Sequence, residues 1–272
     1  MQDLRIAGLF AYPLKAARAV PLAEAMALAR GLRRDRRWLL VAQSGEPVML
    51  KTHPPLATVA IGLDGDALVV AGAVGPPLRV APPPASAAAL PVTVKRRTLA
   101  ARVADPAANR YFSELLGETV WLAHLAHGEA PAGEPAAADP AVSDGLAGSA
   151  PYLICCEASL ADLNGRLAAR GESPVGMDRF RANLVIRGGE PYAEDGWRRL
   201  RTGAAEFEIL RPCPRCPNTT VDPLTGEIGP EPLRTLEEYR TRDGGVMFGV
   251  FARVVREGAI RPGDGAFAEA RA

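Results

Sequence analysis

Short apolar runs separated by turn residues dominate the first hundred positions. Leu4 to Phe10, Trp38 to Ala42, Val48 to Lys51, Thr58 to Leu63, Ala67 to Ala71 and Leu78 to Val80 are each too short for a helix, which predicts a mostly β first half. Leu63-Asp64-Gly65-Asp66 lies between two of these runs. Asp-Gly supplies the positive φ angles that a two-residue hairpin demands, so a hairpin is expected there. The pattern changes at Ala107 to Leu116, where a helix is predicted behind Asp105-Pro106. The Asp side chain can cap its free N–H groups, and Pro fits the first turn.

Between Gly128 and Gly148 the chain holds mainly Ala, Gly, Pro and Asp, a composition that adds little to a core and reads as a linker or a covering loop. Beyond it Tyr152 to Cys156 reads as a buried strand. Ser159-Leu160-Ala161-Asp162 reads as a helix start with Ser as the cap, and Leu160, Leu163 and Leu167 fall on one helical face. Leu184 to Ile186, Ala205 to Leu210 and Met247 to Val255 predict further strands, with a helix over Leu233 to Arg240. The expectation is an α+β, β-rich chain divided into residues 1–127, a linker 128–148, and residues 149–268.

With 272 residues, 48% of them hydrophobic and 23% charged, and a net charge of +1, the chain has the balance of an ordinary globular protein. Nothing in that balance favours nucleic acid as a partner. The longest apolar stretches, such as Ala67 to Val74, fall well short of the roughly 20 residues of a membrane span. Met1-Gln2-Asp3-Leu4-Arg5 has no basic head or apolar signal core, so a cytoplasmic location is expected.

The four cysteines are an adjacent pair, Cys155 and Cys156, and the run Cys213-Pro214-Arg215-Cys216, too few and too clustered for a secreted disulfide framework. The second pair follows an apolar run and precedes Pro217, so its thiols sit where a strand gives way to a loop. Half of a zinc site, a redox dithiol, a soft-metal thiolate and an inert pair all remain open. Zinc is short of ligands at usable spacing, since only Cys155, Cys156, His53, His124 and His127 are left to complete it. A redox dithiol expects a helix after the pair, where this chain has Pro217 and the turn Asp222 to Gly226. Arg215 between the cysteines lowers the cost of a thiolate and can pair with an anion. Glu194 and Asp195 are the nearest candidates for handling protons, with Asp195 taken as the catalytic candidate.

The segments Glu157 to Asn164, Arg179-Phe-Arg-Ala-Asn183, Tyr192 to Trp197, Cys213 to Cys216, Thr219 to Gly226, Met247 to Gly249 and Gly258 to Asp264 together resemble the MOSC domain. Within that superfamily the order and separation of these segments are similar to the amidoxime-reducing components and their bacterial relatives. Tyr12-Pro-Leu-Lys15 and Gly31 to Trp38 resemble the β-barrel domain that precedes MOSC in that family. The fold so implied is a small N-terminal β-barrel-like domain packed on a MOSC β-barrel with flanking helices.

The resemblance also implies a function, namely two-electron reduction of N-hydroxylated or N-oxygenated compounds on a molybdenum cofactor, Mo-molybdopterin. Cys216 falls on the family's metal-ligand position and Cys213 does not. Lys15, Arg36, Arg181 and Arg215 fall on cofactor-contacting positions, and Asn183 and Ser149 accompany them. The cofactor carries a phosphate, which cationic forks and backbone donors suit. Ala16 stands where relatives often have Ser, and Ala182 where they have Pro. With no further cysteine group for an iron–sulfur cluster, electrons are expected from a separate cytochrome b5-type or ferredoxin-type donor with its flavin reductase. A non-catalytic carrier of the cofactor or of sulfur is the alternative the family allows.

Overall fold

Seven strands form a closed ring in the order Tyr152–Cys156, Leu184–Arg187, Leu4–Ala11, Gly265–Ala270, Trp197–Thr202, Ala205–Pro214 and Gly245–Arg256, with the last pairing back onto the first. Closure leaves no edge with unpaired backbone groups. The structure is a computed structural model and describes residues 3–71, 75–94, 97–125 and 150–271. Inward-facing side chains of the ring, among them Ile6, Leu9, Tyr152, Ile154, Ile186 and Phe207, make one core. Where Gly245–Arg256 crosses Tyr152–Cys156 the approach is so close that a Cβ on Gly249 would stand 2.5 Å from Cys155 Sγ and 2.8 Å from the Ile154 carbonyl, and its φ is +71°. Only glycine suits both demands.

Among the described residues three α-helices accompany the strands: α1 (Pro106–Leu116), α2 (Glu157–Ala169) and α3 (Leu233–Arg240). Helix α2 joins the parallel pair Tyr152–Cys156 and Leu184–Arg187, as a parallel connection requires. It lies outside the barrel with α3, over a second core that includes Leu163, Leu167, Phe180, Leu236 and Phe248.

The first half is an open half-barrel. Trp38–Ala42, Val120–His124, Arg97–Val103 and Ala89–Val94 form one antiparallel sheet, and Ala60–Asp64, Ala67–Ala71 and Leu78–Val80 form another. They enclose a core containing Trp38, Leu40, Leu56, Leu68, Phe112 and Leu122. The Asp-Gly hairpin is present, with Asp64 opposite Ala67 and Gly65 at φ +60°. Helix α1 starts as its sequence predicts, with Asp105 accepting from the Ala108 N–H at 2.8 Å, and it stops at left-handed Gly117.

Two expectations are corrected. Val48 to Lys51 is not a strand: Pro47 makes a single bridge to Val41, cannot donate to a ladder, and the chain then turns back from Met49 to His53. Ser159 does not cap α2, which begins two residues earlier behind Cys156. The strand Leu4–Ala11 belongs by its hydrogen bonds to the closed ring, and Ala25–Leu28 likewise pairs with Gly258–Ile260. The first residues of the chain thus complete the second barrel. The stretch 128–148, His127 and Ser149 lie outside the described residues. Among the described residues no helix is long and apolar enough to cross a membrane.

Candidate functional site

A cleft of about 680 Å³ opens between the half-barrel and the closed barrel. From the first half, the turn after Leu4–Ala11 supplies Lys15, the loop before Trp38 supplies Arg36, and residues of the Gly45–Leu50 segment also line it. The second half supplies Leu153, Arg179 to Arg181, Asn183 and the run Cys213 to Cys216. Lys15, Arg36, Arg181, Asn183, Arg215 and Cys216 are scattered over two hundred positions and meet on this one surface.

The backbone is bent to aim the cations. Arg36 and Arg181 have φ of +48° and +58°, left-handed conformations that cost a non-glycine residue on the order of 1 kcal/mol each. They are held by surrounding bonds: Arg36 N–H donates to the Tyr12 carbonyl at 2.9 Å, Trp38 N–H to Pro13 at 2.9 Å, and Asn183 N–H to Leu153 at 2.8 Å. Both guanidiniums lie over the ring of buried Tyr12, Arg181 at 4.2 Å and Arg36 at 4.9 Å from its centroid. Such stacking favours a desolvated cation. Arg181 donates to the Ala17 carbonyl at 2.7 Å, and burial lowers its pKa to about 10, which still leaves it a cation at neutral pH. Arg36 is paired with buried Asp35, whose other oxygen accepts from the Tyr12 N–H at 2.7 Å.

Asn183 is fully buried and ties the two halves together. Its side-chain oxygen accepts from Leu153 N–H at 3.2 Å and from Arg36 at 3.3 Å, and its amide donates to the Phe10 carbonyl at 3.2 Å. It is therefore a positioning group for Arg36 and for the neighbouring strands.

The two cysteines of the second pair differ in surroundings. Cys213 is 3% exposed, burial pushes its thiol pKa up, and its sulfur takes an Arg215 N–H at 3.0 Å. Cys216 is exposed, just past the strand end and ahead of the single helical turn Pro217–Thr220. Pro214 still pairs with Met247, and Arg215 N–H donates to Val246 at 2.7 Å. The run is therefore extended. Residues three apart on an extended chain stand about 10 Å apart, beyond the roughly 7 Å that a disulfide spans. Both cysteines are free thiols, and a single turn, Pro217–Thr220, follows them where a redox dithiol would have a helix.

Among the described residues no three His, Cys, Asp or Glu side chains converge as a metal site. A metal on Cys216 would need its other ligands from a cofactor. The donor set fits such a group: one exposed soft thiol, a row of cations, and a buried Arg215 Nε without a hydrogen-bond partner.

Asp195 and Glu194 lie elsewhere. Glu194 is fully buried and accepts from Ser159 Oγ at 2.9 Å and from Cys156 N–H at 3.3 Å, so it caps the N-terminus of α2 from a distant loop. Burial raises its pKa. Asp195 is paired at 2.5 Å with Arg240 and Arg242, whose charges hold it away from the cleft. Its expected catalytic place is not where the fold puts it.

Arg179 is a cleft residue that sequence reasoning passed over. It is fixed by Asp222 at 2.7 Å and by the Thr220 carbonyl at 3.1 Å, and the signal for it was its position two residues before Arg181. Glu46, Met49, Leu50 and Phe251 also line the cleft, and nothing local in the sequence marked them.

Comparison with known proteins gives two matching family descriptions, the MOSC domain over residues 127–266 and the MOSC N-terminal beta barrel domain over residues 3–119. The chain is 34% identical to human mitochondrial amidoxime-reducing component 1 across 95% of this chain and 81% of that protein. It is 30% identical to human mitochondrial amidoxime reducing component 2 across 95% of this chain and 82% of that protein. A molybdenum cofactor sulfurase of Solanum lycopersicum is 42% identical over 113 residues, 38% of this chain and 14% of that protein.

Proposed function

Because the chain belongs to the MOSC-domain proteins that carry the MOSC N-terminal β-barrel domain, we propose that it is a molybdenum-cofactor-dependent reductase of N-hydroxylated compounds. The observation that carries this reading is one exposed thiol, Cys216, in the same cleft as Lys15, Arg36, Arg179 and Arg181. Similarity to two amidoxime-reducing components over 95% of the chain supports the choice of substrate class.

In this reading Cys216 is the protein's thiolate ligand to molybdenum, a soft donor for a metal otherwise held by cofactor sulfur. Lys15, Arg36 and Arg181 bind the cofactor's phosphate, as forks and point charges suited to that anion. Arg215, clamped between Cys213 Sγ and the Phe180 carbonyl, fixes the strand end that presents Cys216. Leu153, Phe180 and Phe251 limit water around the reacting centre. When bound, the cofactor supplies the two-electron chemistry that cleaves the N–O bond. The sum is R–NHOH plus two electrons and two protons giving R–NH2 and water. The electrons come from a separate donor protein of cytochrome b5 or ferredoxin type, by a small transient contact.

The match to a cofactor sulfurase favours a second reading, a carrier that holds the cofactor without turning over substrate. The test is expression in a host that makes the cofactor, elemental analysis, and benzamidoxime reduction with an artificial donor. About one molybdenum per chain with turnover, both lost in Cys216→Ala, is the expected result. Stoichiometric zinc would overturn the class, and full loading without turnover by any donor would leave the carrier.

A further inference from the structure

The charge in the cleft is uneven. Lys15, Arg36, Arg179, Arg181 and Arg215 line it, whereas Glu46 is its one carboxylate among the described residues. The strand Trp38–Ala42 measures the separation of the Lys15 and Glu46 backbones. Lys15 N–H donates to the Trp38 carbonyl at 2.8 Å, and Ala42 N–H donates to the Glu46 carbonyl at 2.9 Å. Three strand residues lie between those bonds, a span of four residue steps or about 13 Å along the strand. Glu46 is exposed behind left-handed Gly45, and no described side chain donates to its carboxylate. Pro47, Met49 and Leu50, which follow it in the chain, line the cleft as an apolar stretch, and Phe251 lines the cleft from the closed barrel.

Apolar neighbours and a carboxylate that no described side chain pairs, carried about 13 Å along the strand from the Lys15 backbone, suit a flat body that carries N–H donors or positive charge. We propose that Glu46 is a specificity-determining residue for the reductase reading, on which this inference rests. It favours substrates with an N–H donor beside the N–O group and a cationic product, amidoximes and N-hydroxyguanidines, over N-hydroxylated compounds with neutral products. Reduction of R–C(=NOH)NH2 by two electrons and two protons breaks the N–O bond and gives the amidine and water. The amidine takes a further proton from solvent, and the resulting amidinium N–H groups donate to Glu46.

An ion pair at an exposed site is a weak one, so a change of about threefold to fivefold is expected rather than an all-or-none loss. The experiment compares cofactor-loaded wild type with Glu46→Gln and Glu46→Asp. Calorimetry with benzamidinium should show binding weakened about threefold to fivefold in Glu46→Gln, partly kept in Glu46→Asp, with the difference shrinking as salt is raised. With an artificial donor, KM for benzamidoxime should rise in Glu46→Gln. The kcat/KM for N-hydroxybenzenesulfonamide, whose product is neutral, should not change. Equal benzamidinium binding in wild type and Glu46→Gln would overturn the proposal, as would an equal change for both substrates. The calorimetry needs no turnover. A wild type that binds benzamidinium through Glu46 but reduces nothing would sink the reductase reading alone, whereas turnover with equal binding would sink Glu46 alone.

Discussion

Two single-turn helices, Met177–Phe180 and Ala193–Gly196, look alike and do opposite work. Each is flanked by a non-glycine residue in the left-handed region, Arg181 after the first and Tyr192 before the second, and each carries charged residues that a sequence reader would assign to a site. The first aims Arg179 and Arg181 into the cleft, where Arg181 has one carbonyl acceptor and the face of Tyr12. The second turns Glu194 and Asp195 inward, where Ser159, Cys156, Arg240 and Arg242 take them up. The difference lies in partners: Glu194 and Asp195 are taken up by donors of the frame, whereas Arg181 has no carboxylate partner among the described residues and faces the cleft.

Deleting the frame's acid should have the largest effect. Glu194→Ala leaves the Ser159 hydroxyl and the Cys156 N–H without their acceptor in a buried place, and about 3 kcal/mol of stability should be lost in urea unfolding. A loss under about 1 kcal/mol would mean that α2 is capped by something else. In the other turn, Arg181→Ala should retain the fold but weaken cofactor retention by about 2 kcal/mol, roughly thirtyfold, read as molybdenum per chain after dialysis. Arg181→Lys should recover only part, because an ammonium cannot reproduce the stacked fork.

Smaller still is Arg240→Ala. Asp195 keeps Arg242, so thermal unfolding should register about 1 kcal/mol with turnover unchanged. If turnover fell in parallel, the two turns would be coupled. The smallest effect is one of pH. Burial raises the Glu194 pKa above its ordinary 4.5. Its contribution is then fully present below that value and is lost as pH rises through the higher folded value. The stability of wild type relative to Glu194→Gln should therefore fall as pH is raised from 4.5, a slope that denaturant curves at several pH values would reveal.

Much of the frame was legible in local patterns. Asp105-Pro106 predicted the start of α1, Asp64-Gly65 the hairpin, and the apolar run Trp38 to Ala42 its strand, because caps and turn residues act over three or four positions. The strands Ala89–Val94, Trp197–Thr202 and Gly265–Ala270 were not read. In Trp197-Arg-Arg-Leu-Arg-Thr the exposed positions carry Arg, and the pattern becomes strand-like only once Glu206 and Glu269 lie alongside to pair with them. Ser159 carries the local signature of a cap because an acid follows at the right spacing. The true acceptor, Glu194, lies 35 residues away.

The same division holds for the cleft. Residue type and local order already marked Cys216 as the thiol beside a strand end, and family-like segments singled out Lys15, Arg36, Arg181, Asn183 and Arg215, since those choices depend on chemistry and neighbouring positions. Which of the acids would reach the cleft depended on barrel closure. Pairing of Leu4–Ala11 with Leu184–Arg187 sets Lys15 and Arg36 against Arg181, while α3 carries Arg240 to Asp195 and takes that carboxylate out of play. Glu46, carried by an ordinary turn, comes to line the cleft only because the half-barrel sets that turn beside residues of the second barrel. Contacts between residues far apart in the chain have no local signature, and they decide which charges are spent on the fold and which remain for a ligand.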